Sequence, residues 1–515
     1  MTKARLICLL MAATAVFAQD PKLTRLGTFK HGAYNTTAAE IVAHDPRSQR
    51  LFVVNGGNRS IDILDMRNPA QLTRIAQIAI PAEHGFSPNS VAVFNGIVVA
   101  AVEAEVRQEP GSAVFFDTDG KFLNAVKAGA LPDMVTFTPD GRKVLVANEG
   151  EPNATYTVDP EGSVSIIDIS GGVESLTQAN VRTVGFTSFT RASLEPGVRI
   201  FGPRASVAQD IEPEYIAISP DSKTAYVTLQ ENNAIAIIDV DSAQVRRIAA
   251  LGLKEHWRRG NELDPSDRDG AVQFNTWNVW GMYQPDTIAT FVGPNGQLYV
   301  ITANEGDARE YGTAYVEAAR IGTARLDPTA YPNAAEIQQL GALGRLNYST
   351  ASGDTDGDGD IDQLHIFGAR SFTVWTEDIQ PWWDSHNQLE VFTYQNRPEA
   401  FNMSNADQIV ESRSDDKGPE PEAVVVGNIN GRNYAFIGNE RSSNIMIYDL
   451  ADPGSPRYIG MAWNRRVDVA IDSPDAGDLG PEGMTFISAA NSPNGKPMLV
   501  VANEISGTTT VWQIE

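Results

Sequence analysis

Four short apolar segments of the chain end on the same pair of residues, asparagine followed by glutamate. The segments read VLVANE, VITANE, FIGNE and VVANE, and their last residues are Glu149, Glu305, Glu440 and Glu504. Carboxylate oxygens are preferred ligands of Ca²⁺ and Mg²⁺, so glutamates brought together from several segments would form a cation site. The alternative is a recurring turn in which the Asn-Glu pair only bonds loop amides.

Similar apolar segments that begin on an acid precede these strands. The acids that begin these segments are Asp133, Glu214, Asp286, Glu422 and Glu482. Two less regular copies near the N-terminus begin with Glu40 and with the neutral Asn89. Glu103 and Glu231 are further acids that end second strands. In an antiparallel hairpin the start of the first strand and the end of the second lie at the same end. We therefore expect these acids on one face of the protein, where their mutual repulsion favours bound cations.

The stretch GDTDGDGDID (353–362) is a second candidate cation site. Its acids Asp354, Asp356, Asp358, Asp360 and Asp362 fall on loop positions 1, 3, 5, 7 and 9 of a calcium-binding loop, with glycine at position 6. Position 12 is His365 instead of glutamate, so a complete EF-hand is not expected. The sequence predicts a calcium ion that stabilises this segment; the alternative is a solvated acidic turn.

A third acidic stretch, ELDPSDRDG (262–270), contains Asp264, Asp267 and Asp269 but fits no ligand template, and is a weaker candidate. The tryptophans Trp382 and Trp383 are expected on a loop, either as a ligand platform or as a loop anchor.

Arginines follow or flank several of the acidic motifs, namely Arg309, Arg370 and Arg441. Arginine beside metal-binding carboxylates suits phosphoryl transfer, because the metal polarises the phosphate while the guanidinium holds its oxygens. Alternatively, these arginines pair with the neighbouring acids and only relieve their repulsion. No G-x-S-x-G motif is present and the histidines are scattered, so water activated by a metal is the expected nucleophile of any enzyme here.

Composition narrows the class of protein. The chain has 515 residues and a formal net charge of −25, which disfavours binding to nucleic acid or anionic lipid. Residues 1–18 combine Lys3 and Arg5 with an apolar run and small residues, which indicates a secretory signal. The only cysteine, Cys8, lies in that segment. We expect a secreted protein, periplasmic or extracellular, with no membrane span and one domain over 19–515.

Repeated hairpins position the acids. Seven hairpins with tight turns such as PDG and PNG recur, each followed by a third apolar strand and six by a fourth, including LEVFTY (389–394). Four strands per unit is typical of a propeller blade. The seventh unit lacks a fourth strand, and LTRLGTF (23–29) is expected to supply it. The sequence thus predicts an all-β, seven-bladed β-propeller closed by an N-terminal strand, with insertions at about 185–210, 251–283 and 306–367.

The motifs ANEGDAREY, DTDGDGDID, GARSFTVW, GNERSSNIMIYDL and VVANEISGTTTVWQI occur in this order. In this combination the chain resembles the choice-of-anchor I propeller family, over nearly all of its length. That family is similar to mesenchyme-specific cell-surface glycoproteins and to an atypical secreted bacterial alkaline phosphatase. The resemblance implies an exported, calcium-dependent propeller, with phosphatase activity in some members.

The sequence therefore leads to two functional hypotheses. The first is a secreted calcium-binding propeller that hydrolyses phosphate esters at its acidic rim, with calcium as the main metal and magnesium, iron or zinc as a second. The other is a non-catalytic calcium-binding protein that interacts with other molecules outside the cell. Divalent cations are partners in both hypotheses, and a phosphate ester only in the first.

Overall fold

The computed structural model describes residues 20–515, so the predicted secretory signal lies outside the described residues. Seven four-stranded antiparallel sheets make up most of the protein, and we call them blades 1 to 7 in chain order. In each blade the strands follow the order hairpin, third strand, fourth strand that the repeated sequence pattern predicts.

The strands of the blades have the following bounds. Blades 1 to 3 consist of Val42–Asp45, Arg50–Asn55, Ser60–Asp65 and Thr73–Ala79; Ser87–Phe94, Ile97–Glu103, Pro110–Asp117 and Phe122–Ala130; and Pro132–Phe137, Lys143–Asn148, Ser163–Asp168 and Val181–Gly185. Blades 4 and 5 consist of Ile216–Ile218, Thr224–Leu229, Ala234–Asp239 and Gln244–Ala250; and Ile288–Val292, Leu298–Asn304, Ser371–Thr376 and Pro381–Asp384. Blades 6 and 7 consist of Pro421–Ile429, Arg432–Asn439, Asn444–Asp449 and Arg457–Ala462; and Pro481–Ile487, Met498–Asn503, Thr508–Ile514 and Leu23–Lys30.

The N-terminal strand closes the ring. Leu23–Lys30 pairs antiparallel with Thr508–Ile514, so that the first strand of the chain completes the last blade. The first strands of neighbouring blades contact one another around the whole circle, including those of blades 7 and 1. This arrangement confirms the predicted β-propeller, and the N-terminal strand covers the outer edge that Thr508–Ile514 would otherwise expose.

The hydrophobic core lies between blades rather than within one central layer. Successive residues of a strand point to opposite faces, and here both faces are covered by a neighbouring blade. In blade 4, Val227 packs in a cluster with blade 3, whereas the adjacent Tyr226 packs in a cluster with blade 5. Because both faces are buried, the strands read as continuous apolar runs instead of alternating ones.

The long insertions form small elements of their own. They contribute the short helices Val207–Asp210 and Ala334–Ile337, a three-stranded sheet of Leu253–Glu255, Trp280–Met282 and His365–Ile366, and two strand pairs, Glu310–Tyr311 with Tyr315–Val316 and Ala318–Arg320 with Asn347–Ser349. Six short 3₁₀ turns are formed by Gly56–Asn58, Val173–Ser175, Gln178–Asn180, Arg191–Ser193, Ile321–Thr323 and Pro398–Ala400. A separate apolar cluster that includes Leu263, Tyr331 and Leu346 holds the insertions together.

The prediction for the last strand of blade 5 is wrong. Residues 389–394 lie within the helix Gln388–Asn396, which buries Leu389, Glu390 and Thr393. Valine, phenylalanine, threonine and tyrosine favour strands, but here the buried contacts of one helix face override that preference. The fourth strand is Pro381–Asp384, in which Trp383 pairs with Val374. Trp382 and Trp383 therefore lie on a strand and not on a loop.

Candidate metal centre

One end of the propeller carries a cavity of about 370 Å³, which we call the mouth. Residues of all seven blades line it, and its carboxylates are Glu40, Asp133, Asp286, Glu305, Glu422, Glu440, Glu482 and Glu504. These are the acids that begin first strands or end second strands, as the hairpin argument expects. Asn89 lines the mouth at the equivalent position of blade 2.

The two residues of the Asn-Glu pair have different roles. The asparagine side chain is buried and bonds the neighbouring third strand: Asn304 donates to the Thr373 hydroxyl at 2.8 Å, and Asn439 donates to the side-chain Oδ1 of Asn444 at 2.8 Å. The glutamate that follows is held by its backbone amide: the amide of Glu440, for example, donates to the backbone carbonyl of Glu420 at 2.8 Å. The blade thus explains the asparagine, whereas the glutamate carboxylates of three of the four pairs, Glu305, Glu440 and Glu504, line the mouth.

Two groups of three glutamates bring carboxylate oxygens within 4.8 Å of one another. The first group, Glu305, Glu422 and Glu440, lines the mouth. The second, Glu149, Glu214 and Glu231, lies at the junction of blades 3 and 4 and is not among the residues lining the mouth. Oxygen-only ligand sets of this kind suit Ca²⁺ or Mg²⁺ better than softer metals.

The electrostatics of the mouth are unusual for carboxylates. Burial, reinforced by Glu305, raises the pKa of Asp286 to about 8. Burial also raises the pKa of Glu440 to about 8, although Arg441 opposes the shift. Burial and Glu305 raise the pKa of Glu422 well above its ordinary range. At neutral pH these groups either keep protons or share cations, and a cation therefore fits this ligand set.

Three basic side chains stand at the edge of the mouth. Lys417 Nζ lies 2.7 Å from Glu305 Oε1 and 3.2 Å from Glu420 Oε2. Arg441 Nε lies 3.1 Å from Glu420 and 3.2 Å from Glu440. Arg107, which lines the mouth, lies 3.0 Å from Glu151. The roles of Lys417 and Arg107 were not predicted, because Glu305 lies far from Lys417 in the sequence and Glu151 lies far from Arg107.

Two of the three arginines expected to hold phosphate are committed to other partners. Arg309 is buried and pairs with Asp210 and, at 2.9 Å, with Glu212. These contacts match the ion-pairing alternative.

Arg370 is also buried, and it donates to Glu390 at 2.8 Å and to the Ser414 and Asp264 carbonyls at 2.7 and 2.9 Å. None of the three arginines is among the residues lining the mouth. Arg441 stands at the rim beside Glu440, with its side chain 25% exposed.

The aspartate-rich loop forms a compact turn at the surface. Asp354 accepts hydrogen bonds from the Gly357 amide at 2.7 Å and from the Gly359 amide at 3.0 Å, as the first ligand of a calcium loop does when it holds the loop closed. The structure gathers its acids into two groups of three, Asp354, Asp356 and Asp362, and Asp327, Asp360 and Asp362. Asp358 instead accepts a bond from the Asp360 amide at 3.1 Å and belongs to neither group.

The third acidic stretch is divided by the fold. Asp264 and Asp269 meet Glu411, which sequence reasoning did not connect with them, within 4.8 Å. Asp267 turns to Arg345, whose Nε lies 2.9 Å away.

Within residues 20–515, the helices are all too short or too polar to cross a lipid bilayer.

A 195-residue segment is 29% identical to Gigasin-3a of Magallana gigas, covering 35% of this chain and 66% of that protein. A 316-residue match to the mesenchyme-specific cell surface glycoprotein of Strongylocentrotus purpuratus is 28% identical and covers 54% of this chain and 39% of that protein. The chain thus spans less than two thirds of the length of either relative.

Among solved structures, hydrazine synthase of Kuenenia stuttgartiensis superposes with a TM-score of 0.46 at 15% identity, over 93% of this chain and 97% of that one. The β-propeller domain of Cps50 (Swd1) from Myceliophteria thermophila gives 0.45 at 9% identity, over 96% and 100%. Likenesses this weak carry no argument about function.

Residues 40–453 match the choice-of-anchor I domain. Because that match covers most of the chain, the protein belongs to the choice-of-anchor I domain family.

Proposed function

We propose that this protein is an extracellular calcium-binding β-propeller and that its mouth hydrolyses phosphate esters. The observation that carries the proposal is the set of eight carboxylates around one 370 Å³ cavity. Their raised pKa values are what a cation would relieve, because a bound cation stabilises the charged carboxylates. The extracellular location is supported by the signal-like residues 1–18 and by the similarity to the Strongylocentrotus purpuratus protein, which is named a cell surface glycoprotein.

Glu305, Glu422 and Glu440 are the residues that would hold the cation. A divalent cation supplies charge that polarises a phosphate ester and lowers the pKa of bound water. Arg441 is placed to bind a phosphate oxygen beside that cation, since its guanidinium contacts Glu440 at the rim and remains partly exposed. Lys417 holds Glu305 in position through its 2.7 Å contact. The aspartate-rich loop would bind a further calcium ion that stabilises the blade 5 insertion.

A second candidate function is non-catalytic calcium binding at the cell surface. The observation that favours it is the engagement of Arg309 and Arg370 in buried ion pairs, which leaves Arg441 as the remaining member of the arginines first considered for phosphate. In this function the mouth and the loop stabilise the propeller, and other extracellular molecules bind elsewhere.

Both functions can be tested on the same purified chain. Hydrolysis of p-nitrophenyl phosphate and of bis-p-nitrophenyl phosphate is measured in calcium and in chelator, beside metal analysis of each sample. We expect hydrolysis that depends on metal and falls about 100-fold or more in Glu422→Gln, as expected for loss of a group that stabilises the transition state. Glu174→Gln, an exposed change away from the mouth, is the matched control.

Three outcomes separate the hypotheses. Metal-dependent turnover that is lost in Glu422→Gln supports the hydrolase. Bound calcium without turnover on either ester refutes the hydrolase and supports the non-catalytic function. No bound calcium at millimolar concentration contradicts both. An Arg441→Gln variant that weakens substrate binding without reducing bound metal would support the role of Arg441 in holding phosphate.

A further inference from the structure

The glutamate group between blades 3 and 4 is separate from the mouth. Glu149 follows the second strand of blade 3, Glu214 precedes the first strand of blade 4, and Glu231 follows the second strand of blade 4. Their carboxylate oxygens lie within 4.8 Å of one another, and none of the three lines the mouth cavity. Different blades supply the three side chains, so a ligand bound here would join two blades.

These side chains are buried without the partners that buried carboxylates need. Glu214 is 7% exposed and Glu231 is 5% exposed. In each residue the Oε2 atom reaches no solvent and has no hydrogen-bond partner, and the same holds for Oε1 of the adjacent Glu212. A buried charge with no partner is strongly destabilising, so a compensating group is required at this position.

The nearby Arg309 lowers the pKa of Glu231 against the effect of burial, but it forms no ion pair with this group. Arg309 is occupied by Asp210 and Glu212. Over residues 20–515 no lysine or arginine nitrogen lies within 4.0 Å of the carboxylates of Glu149, Glu214 or Glu231. A single hydrogen-bond donor would satisfy only one of these carboxylate oxygens, whereas one divalent cation would satisfy all three side chains together.

We propose that Glu149, Glu214 and Glu231 bind one Ca²⁺ ion at the junction of blades 3 and 4, independently of the mouth. Calcium takes 6–8 oxygen ligands, so three glutamates leave positions for water and backbone carbonyls. A second cavity of about 360 Å³ borders the site, and its wall includes Glu231 together with Tyr311 and Lys417. The ion stabilises the junction and does not depend on catalysis in the mouth.

The alternative occupant is a proton shared between the carboxyl groups. A proton and a calcium ion predict different responses to the isosteric change Glu→Gln. If the group holds protons, calcium has no effect on it, and the variants respond to calcium as the wild type does. If it holds calcium, each variant loses bound ion while its metal-free form becomes more stable, because one member of the repelling group is neutral.

The test compares Glu231→Gln, the double variant Glu214→Gln and Glu231→Gln, and the exposed control Glu174→Gln in the full chain. Calcium is counted by mass spectrometry after gel filtration, and melting temperature is measured with calcium and with chelator. We expect the double variant to hold one ion fewer per chain and Glu231→Gln to bind that ion at least about tenfold more weakly, since removing a group that only orients a ligand already costs about tenfold to 100-fold.

A reciprocal variant keeps the result interpretable if the double variant does not fold. Combining Glu440→Gln with Asp354→Asn removes ligands from the mouth and from the aspartate-rich loop but retains the three glutamates. That variant must still bind one calcium ion per chain. Loss of all calcium from it, or an unchanged calcium count in the double variant, overturns the proposal. Because the mouth is impaired only in the reciprocal variant, failure of the hydrolase and failure of this site are distinguishable.

Discussion

The mouth and the aspartate-rich loop are both dense in carboxylates, yet they treat the charge in opposite ways. The loop is exposed, and its own amides bond its acids: Thr355 donates to Asp362 and lowers the pKa of that carboxyl. The mouth is buried, and burial raises the pKa of Glu482 and Glu422 well above their ordinary range. Most acids of the loop are therefore stabilised without a cation, with the buried Asp360 as the exception, whereas the acids of the mouth need either protons or cations.

The clarity of a sequence motif does not indicate how strongly its carboxylates require a cation. The loop is the clearer motif because its ligands are consecutive in sequence. The acids of the mouth are spread over more than 400 residues, and only the blades unite them. Backbone amides and water already stabilise the charges of the loop, so the weaker sequence signal marks the site with the greater need for a metal.

Removing metal should have the largest effect, and the effect should come mainly from the buried sites. A ligand present at 1,000 times its dissociation constant stabilises the folded state by about 4 kcal/mol. At pH 8 we expect calorimetry to show a large drop in melting temperature when calcium is replaced by chelator. Variant Asp356→Asn, which alters only the loop, should retain most of that drop. If Asp356→Asn abolishes it, the comparison between the sites is reversed.

The stability of the metal-free protein should depend on pH in a particular direction. The pKa of both Asp286 and Glu40 is raised by burial to about 8, whereas in the unfolded chain such groups titrate near pH 4. Between these values the folded state binds more protons, so its stability is full below about pH 4 and is lost as the pH rises to about 8.

The expected slope is about 1.4 kcal/mol for each pH unit and each extra bound proton. Urea unfolding in chelator at pH 5, 6.5 and 8 measures it, and the same series in calcium is the control. We expect calcium to flatten the dependence, since the cation takes over the role of the protons. Equal stability at pH 5 and pH 8 in chelator would mean that the carboxylates of the mouth are already compensated by other groups.

The fold could be predicted much further than the site. Each hairpin carries its own turn residues and strand composition, so seven local signals and one unmatched N-terminal segment together specify the ring. The helix Gln388–Asn396 was missed because its strand-like composition is overridden by the packing of Leu389 and Phe392 against blades 5 and 6. Lys417 and Glu411 were missed because long-range folding alone brings them to Glu305 and Asp264. Which side chain compensates a given carboxylate is decided only when the blades assemble, so the sequence does not show it.

Neutralising one acid of the mouth should raise the stability of the metal-free protein and lower that of the calcium-bound protein. In Glu440→Gln we expect the metal-free protein at pH 8 to gain about 1 to 2 kcal/mol, on the scale of one pKa unit, because one of several mutually repelling buried carboxylates becomes neutral. The calcium-saturated protein should lose stability, because a ligand is missing. Thermal unfolding in chelator and in calcium checks both signs, with Glu174→Gln as the control. A loss of stability under both conditions would show that Glu440 acts only through its contact with Arg441.

The smallest effect is expected in the loop. Asp356 is exposed, and its carboxylate accepts one bond from the Asp358 amide at 3.2 Å, which asparagine can still accept. Asp356→Asn should therefore change the metal-free free energy of unfolding by less than about 0.5 kcal/mol, as other surface substitutions do. Calcium affinity of the loop should nevertheless fall about tenfold, because a charged ligand becomes neutral. Titration with calcium, followed by the protection of the 353–362 amides from hydrogen exchange, measures that affinity. If calcium protects these amides equally well in the variant, the loop is an acidic turn that its own backbone stabilises, and the buried carboxylates alone determine the calcium dependence of the protein.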